Sequence, residues 1–463
     1  MFKIRFLFYF LLFTLFSCSD SPNERGEVIT RTETEYTTKN LPIGKADTVF
    51  CRTDPSQSYT LYLPSTYSKN KRYPLLFLFD PHADGNLPIE KYQAIAERYG
   101  FVFAASNNSK NGLDKEQLKN IIVPFFKDVI ATIAVDSTHF FTAGFSGGAK
   151  AAQLAAYNTP FISGVISCSV ALVKNIKLKI PFIGIAGKRD MNLLEMILKD
   201  NQSSDSAKEH TLLTFDGIHE WPPEQTFEEA LLFLELTRMK KQSSKIDTFI
   251  VNHYITLSDA NLKGAKQEGN ILKEVDCLDK KVQFLNGITN TSAEQKQLKQ
   301  LIGSASFKNA VAQQTELFNR EKEIQKTFKS YFSSFELDKI SSELTKLESP
   351  KNTGEKEMFE RIKGFLSNGT YSYASQLIDQ KGKEDVTEKV LAIYKIVDPI
   401  NSEHAYLSAC LFVKKGNTEN CITSLKEAIN LGFSDVSRLE NDGRFLTLRK
   451  NPDFNNILNG LRK

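Results

Sequence analysis

The sequence predicts a mostly parallel sheet flanked by helices, followed by an all-α domain, and three observations carry that prediction. From about Val49 to residue 238, apolar strand-like runs alternate with helix-like ones, the pattern of parallel strands joined by crossover helices. Several of those runs are apolar at consecutive positions, as strands buried on both faces require. Beyond residue 248 proline and β-branched runs thin out, and long charged amphipathic stretches take over. With 463 residues the chain exceeds what one hydrophobic core organises, so two or three domains are expected. A formal net charge of +4 is small for that length and implies no nucleic-acid partner.

The first element is a leader. The opening "MFKIRFLFYFLLFTLFSCSD" places Lys3 and Arg5 before an apolar run from Phe6 to Phe16, too short to span a membrane comfortably and typical of a secretory signal. The ending Leu15-Phe16-Ser17-Cys18 resembles a bacterial lipobox, with Phe16 bulkier than the usual residue there. That resemblance implies a signal peptide over 1–17, lipid modification of Cys18 and a polar tether over 18–45. It also implies a cell-envelope location, lipid-anchored at the outer membrane on its periplasmic or surface face. Ser19-Asp20-Ser21 resembles the export flank of Bacteroidetes lipoproteins. The six cysteines, at 18, 51, 168, 277, 410 and 421, show neither zinc-site nor disulfide-scaffold spacing. Cys168, Cys410 and Cys421 sit in apolar contexts and are expected to act as small buried hydrophobes.

The expected α/β domain covers 46–241. "YTLYLPSTY" (59–67) is aromatic and β-branched, as strands are, with a proline at its edge. "YPLLFLFDPHADG" (73–85) and "YGFVFAASNN" (99–108) are continuous apolar runs that end in turn residues. "IIVPFFKDVIATIAV" (121–135) reads as a helix and "THFFTAGFS" (138–146) as the next strand. "ISGVISCSVAL", "IPFIGIAGKRD" and "HTLLTFDGIHEWPP" supply three further strand-and-turn units, and "PEQTFEEALLFLELTRMKK" the closing helix. In such sheets, chemistry sits at the carboxyl ends of the strands.

Within that frame Gly144-Phe145-Ser146-Gly147-Gly148 is a G-x-S-x-G pattern between an expected strand and an alanine-rich helix. The strand–turn–helix setting is what a nucleophile elbow needs. A serine also needs a base, and the base an orienting acid. Of the six histidines, His219 lies in a loop just past a late strand, in "GIHEWPP" beside the chain's single tryptophan, Trp221. Asp190 ends the preceding strand, so the chain order is nucleophile, acid, histidine. Asp200 and Asp205 are fallback acids in a polar insert, and Asp216 is too close in sequence to His219 to orient it.

Residues from about 55 to 238 resemble the α/β-hydrolase superfamily, nearest its secreted esterase branch related to polyhydroxybutyrate depolymerases and feruloyl or acetyl-xylan esterases. The segments "YTLYLPSTYSKNKRYPLLFLF", "VDSTHFFTAGFSGGAKAA", "PFIGIAGKRD" and "GIHEWP" carry the resemblance. It implies Ser146 as nucleophile, Asp190 as acid and His219 as base. It implies a carboxylic-ester substrate, with a carbohydrate ester as the family-level expectation, and neither metal nor organic cofactor. One departure matters. The family usually carries His-Gly after the third strand to feed N–H groups toward the oxyanion, whereas here Asp80-Pro81 stands there. Proline has no N–H. The expected donors are therefore the backbone N–H groups of Gly147 and His82, and Asp80 would repel an anionic substrate unless paired.

"QSSKID" (242–247) is the expected hinge into an α-helical domain over 248–463. Within it "VLAIYKIVDPINSEHAYLSACLFVKKGNTENCITSLKEAINLGFSD" pairs helices around Gly416-Asn417, with small Ala405 and Ala409 where they pack closely. Residues 385–463 resemble tetratricopeptide repeats, with Pro399 and Gly432 marking unit ends, and such arrays present concave surfaces to peptide or protein partners. Two functions follow: an envelope serine esterase, or a catalytically silent lipoprotein that binds a partner through its helices.

Overall fold

The computed structural model describes residues 41–173, 176, 178–203, 209–242 and 246–462. The expected signal peptide, Cys18 and most of the tether lie outside them. The tether was expected to run to residue 45, but Ile43 already pairs with Leu63 and Gly44 N–H donates to the Leu63 carbonyl at 2.8 Å. The folded part therefore begins a few residues earlier than expected.

Eight strands form one sheet: β1 (Ala46–Phe50), β2 (Ser58–Tyr62), β3 (Tyr73–Phe79), β4 (Val102–Ser106), β5 (Val135–Phe145), β6 (Ile162–Cys168), β7 (Phe182–Gly187) and β8 (His210–Phe215). Their order is β1-β2-β4-β3-β5-β6-β7-β8. β2 pairs antiparallel with β1 and β4, and every other neighbouring pair is parallel. The chain leaves β3 toward β4 on one side and returns to β5 on the other. That reversal opens a crevice at the carboxyl ends of β3 and β5, where open α/β sheets bind ligands.

The connecting helices are α1 (Asn86–Tyr99), α2 (Lys115–Thr132), α3 (Gly147–Asn158), α4 (Leu193–Ser203) and α5 (Glu224–Gln242). β3 shows how the sheet is covered on both sides. Leu76 and Leu78 join a core built with α1 and α5, while Leu75, Phe77 and Phe79 join one built with α2 and α3. The alternation is the two-residue period of a strand, and both halves are apolar because both faces are buried. Helix α2 starts on an Asp114–Gln117 capping box. It also carries Pro124 in its interior, which leaves the Asn120 carbonyl without its helical donor. Gln57 Nε2 fills that gap at 2.9 Å.

The expected division between α/β and helical domains, at 241/248, is not where the compact units part. α6 (Thr248–Gln267) and α7 (Ile271–Leu285) place Ile250, Val251, Tyr254, Phe284 and Leu285 in the same core as α5 and the sheet. The Phe233 ring of α5 lies 4.4 Å from that of Phe284. The unit that holds the sheet runs to Thr315 and a second begins at Glu316. Residues 243–245 of the expected hinge lie outside the described residues.

The second unit is helical. After α8 (Ser292–Gly303) and α9 (Ala305–Ser333), the helices α10 (Leu337–Leu347), α11 (Thr353–Leu377), α12 (Glu384–Val397), α13 (Ser402–Lys414), α14 (Thr418–Asn430) and α15 (Val436–Asn441) share one apolar core with Phe328, Phe332 and the C-terminal α16 (Pro452–Leu461). The α13–α14 turn is made by Gly416 at φ +73° and by Asn417, whose side chain accepts from Asn420 N–H at 3.0 Å. Gly432 at φ +100° ends α14, and Phe433 then folds back so that its ring stacks on Tyr406 at 4.7 Å.

Candidate active site

The site is built at the end of β5. Ser146 has φ 51° and ψ −120°, a conformation that a serine adopts only where its surroundings enforce it. The flanking glycines permit the turn. A Cβ on Gly144 would meet the Gly148 carbonyl oxygen at 2.3 Å, and one on Gly148 would meet the Phe79 carbonyl oxygen at 2.0 Å. Helix α3 thus starts directly against β3, and Ser146 stands at its positive end, half-buried and facing the crevice.

The structure brings the three residues expected of a relay together. Ser146 Oγ lies 3.0 Å from His219 Nε2, and His219 Nδ1 lies 3.0 Å from Asp190 Oδ1. Asp190 is fully buried, and its Oδ1 also accepts the Asn192 N–H at 2.9 Å. The side chain of Asn192 in turn donates to the Ser169 carbonyl at 2.9 Å. Asp216 is 83% exposed and pairs with Arg189, Asp200 falls in α4, and Asp205 lies outside the described residues.

The acid and histidine loops can meet because of Gly187. A Cβ there would lie 2.4 Å from the Gly217 carbonyl oxygen and 2.5 Å from that of Ile218. Arg189 N–H donates to the Gly217 carbonyl at 2.9 Å, zipping one loop to the other. The imidazole of His219 then lies over the Phe145 ring, centroids 4.8 Å apart.

Trp221 fixes the far side of the histidine loop, a role the sequence reading did not assign. Its ring contacts Phe145 and Tyr92, and Tyr92 donates to the Pro222 carbonyl at 2.7 Å. Its indole N–H donates to Asp80 Oδ2 at 2.8 Å. Asp80, 1% exposed, is therefore paired rather than turned toward a substrate. Burial pushes its carboxyl up, but hydrogen bonds from His82 and Trp221 outweigh burial and hold it below the usual carboxylate value. The signal for this link was in the sequence: a lone tryptophan two residues after the histidine, and an aspartate directly after the apolar run of β3.

The expected oxyanion donors divide. Gly147 opens α3, so its N–H has no intrahelical acceptor and points from the helix start. His82 does not fit the expectation, because its backbone N–H donates to Asp80 Oδ1 at 2.8 Å and its side chain is 78% exposed. Pro81 brings no N–H to this loop, and the carboxylate of Asp80 captures the next one. Asp80 raises the His82 ring's pKa above its ordinary value, chiefly through the hydrogen bond between them.

An eight-stranded sheet in this order, with a strained serine turning from its fifth strand into a helix, defines an α/β-hydrolase fold. No protein-family model and no curated protein matches the chain. Among solved structures it is similar to a ferulic acid esterase, at 17% identity over 40% of this chain and 93% of that one, TM-score 0.31. It is similar to S-formylglutathione hydrolase from Staphylococcus aureus, at 13% identity over 41% and 98%, TM-score 0.36. It is also similar to Est1E from Butyrivibrio proteoclasticus, at 15% identity over 42% and 99%, TM-score 0.33. Likenesses this distant transfer no activity to the chain.

Proposed function

We propose that the chain is a carboxylic-ester hydrolase working through an acyl-enzyme, with Ser146 as nucleophile, His219 as base and Asp190 as orienting acid. The observation that supports this reading is the pair of 3.0 Å contacts that run from Ser146 through His219 to Asp190. His219 Nε2 takes the Ser146 proton as Oγ attacks the ester carbonyl, and Asp190 holds Nδ1–H and stabilises the imidazolium. The carbonyl π electrons move onto oxygen, where Gly147 N–H stabilises the charge. Collapse expels the alkoxide, which His219 protonates. Water enters, gives its proton to the same nitrogen and attacks the acyl carbon, and the collapse that follows frees the acid and Ser146. Every proton is handled by His219, so the residues at hand complete the cycle.

In the same reading Cys18 is the lipid attachment point that tethers the enzyme to the cell envelope. The helices over 385–463 act as tetratricopeptide-like units that recruit a protein or peptide partner. One observation favours the second reading, a silent hydrolase fold that serves only as a binding lipoprotein: the second oxyanion donor expected at His82 is engaged by Asp80. A fluorophosphonate probe separates the two. Covalent labelling of the native chain that disappears in Ser146→Ala supports the esterase. A folded chain that takes up no label supports the binding protein. A panel of acetyl, feruloyl and longer acyl esters then identifies the substrate.

A further inference from the structure

An oxyanion needs donors 2.7–3.1 Å from where its charge develops, and one backbone N–H is half of the usual complement. After β3, Pro81 has no N–H and that of His82 is held by Asp80, so that loop leaves a gap. The neighbouring loop, after β4, reaches into it. Lys110 bridges to His82, and the Asn111 N–H donates to the Pro81 carbonyl at 2.8 Å. This pairing sets the Asn111 side chain against the residue that follows the nucleophile. A Cβ built on Gly147 would fall 1.6 Å from Asn111 Oδ1, 2.8 Å from Cγ and 3.6 Å from Nδ2, and these are its three nearest heavy atoms. The carboxamide therefore occupies the space that a side chain at 147 would fill. A larger residue at 147 would displace the Asn111 side chain. Asn111 is itself exposed, and its amide hydrogens donate to nothing among the described residues.

We infer that Asn111 is a catalytic residue of the proposed esterase, its side-chain amide giving the second hydrogen bond to the oxyanion beside Gly147 N–H. The inference rests on the esterase reading and completes it. The carboxamide torsion is broad and roughly two-fold, so its nitrogen can turn toward Gly147 when negative charge develops there. A side chain anchored through its own backbone to Pro81 thus replaces the missing main-chain donor of the β3 loop. Asn111→Asp keeps the shape, removes both donors and adds a negative charge, which makes it the sharpest replacement.

The test measures p-nitrophenyl acetate hydrolysis by the full chain and by Asn111→Ala, Asn111→Asp and Gly147→Ala. Alongside, it measures inhibition by an aryl boronate, whose tetrahedral adduct places an oxygen in the same position. In Asn111→Ala, kcat should fall about 100-fold or more, with KM within about threefold and an unchanged melting temperature, and boronate affinity should fall in step with kcat. Gly147→Ala should cost a similar factor, and combining it with Asn111→Ala should cost little beyond either alone, because both remove one donor. A residue that merely packed against the elbow would move the melting temperature or KM, not boronate affinity. If Asn111→Ala keeps kcat within threefold while Ser146→Ala is dead, the Asn111 assignment is overturned and the esterase stands. If the unaltered chain neither hydrolyses the ester nor takes up a fluorophosphonate, the esterase reading falls, and the role of Asn111 with it.

Discussion

Asp80→Ala separates the loop after β3 from the histidine loop, and its cost can be worked from the contacts. Asp80 is buried, and its carboxylate accepts from the Trp221 indole N–H and the His82 backbone N–H, both at 2.8 Å, with the exposed His82 ring a third neighbour whose loss costs little. Trp221 is buried, so its N–H is left with no acceptor, a loss of about 1–3 kcal/mol. The His82 N–H is nearer solvent and loses about 1 kcal/mol, since water replaces part of the bond. The cavity left by a carboxylate adds little, so the total is about 2–4 kcal/mol. For a unit of this size that lowers its melting transition by about 4–16 °C. Activity should fall as well, because Trp221 braces the loop that carries His219. Calorimetry and ester hydrolysis on Asp80→Ala, Trp221→Phe and the double variant measure both effects. Trp221→Phe keeps the ring contacts with Phe145 and Tyr92 while removing the N–H, and the double variant should be less damaged than the two single losses added together. A melting change under 1 °C in Asp80→Ala, or strictly additive losses, would refute the brace.

Three further predictions follow from other contacts. Asp190→Asn should cut ester turnover by about three to four orders of magnitude, because the imidazole loses the partner that fixes its tautomer; an unchanged rate would move the acid role elsewhere. In the helical unit Arg361 and Glu321 form a buried ion pair, with Arg361 Nη2 2.7 Å from Glu321 Oε2. Removing one partner, as in Arg361→Met, should destabilise that unit by about 3–5 kcal/mol, whereas exchanging both for apolar residues should restore much of the loss, as chemical denaturation can show. The His82 ring should titrate above its ordinary 6.5 by NMR and return toward it in Asp80→Asn. Because its folded value is raised, the contact contributes stability that is full below about 6.5 and is lost as pH rises through the raised value, muted by the ring's exposure.

Legibility in the sequence followed the reach of the forces involved. The elements of the sheet were readable because burial on both faces writes itself as continuous apolar runs, as in "YPLLFLF". The convergence of Ser146, Asp190 and His219 was readable because each follows the carboxyl end of a strand, and strand ends meet at one rim whatever happens between them. His82 was misread for the opposite reason. Which acceptor captures its N–H depends on where Asp80 turns after Pro81, a two-residue geometry with no periodic trace. Asn111 left no signal of its own, since its place comes from a pairing between two loops. The division at Thr315 was missed because α6 and α7 look like the helices after them; only the aromatic contacts of Tyr254 and Phe284 show which core they complete.

Those aromatic contacts set a practical limit on dissecting the molecule. A fragment stopped at the end of α5 would strip the cover from Phe233 and strand an apolar patch in water, a recipe for aggregation rather than for a minimal catalyst. A piece that keeps that cover in place retains α6 and α7 along with the sheet.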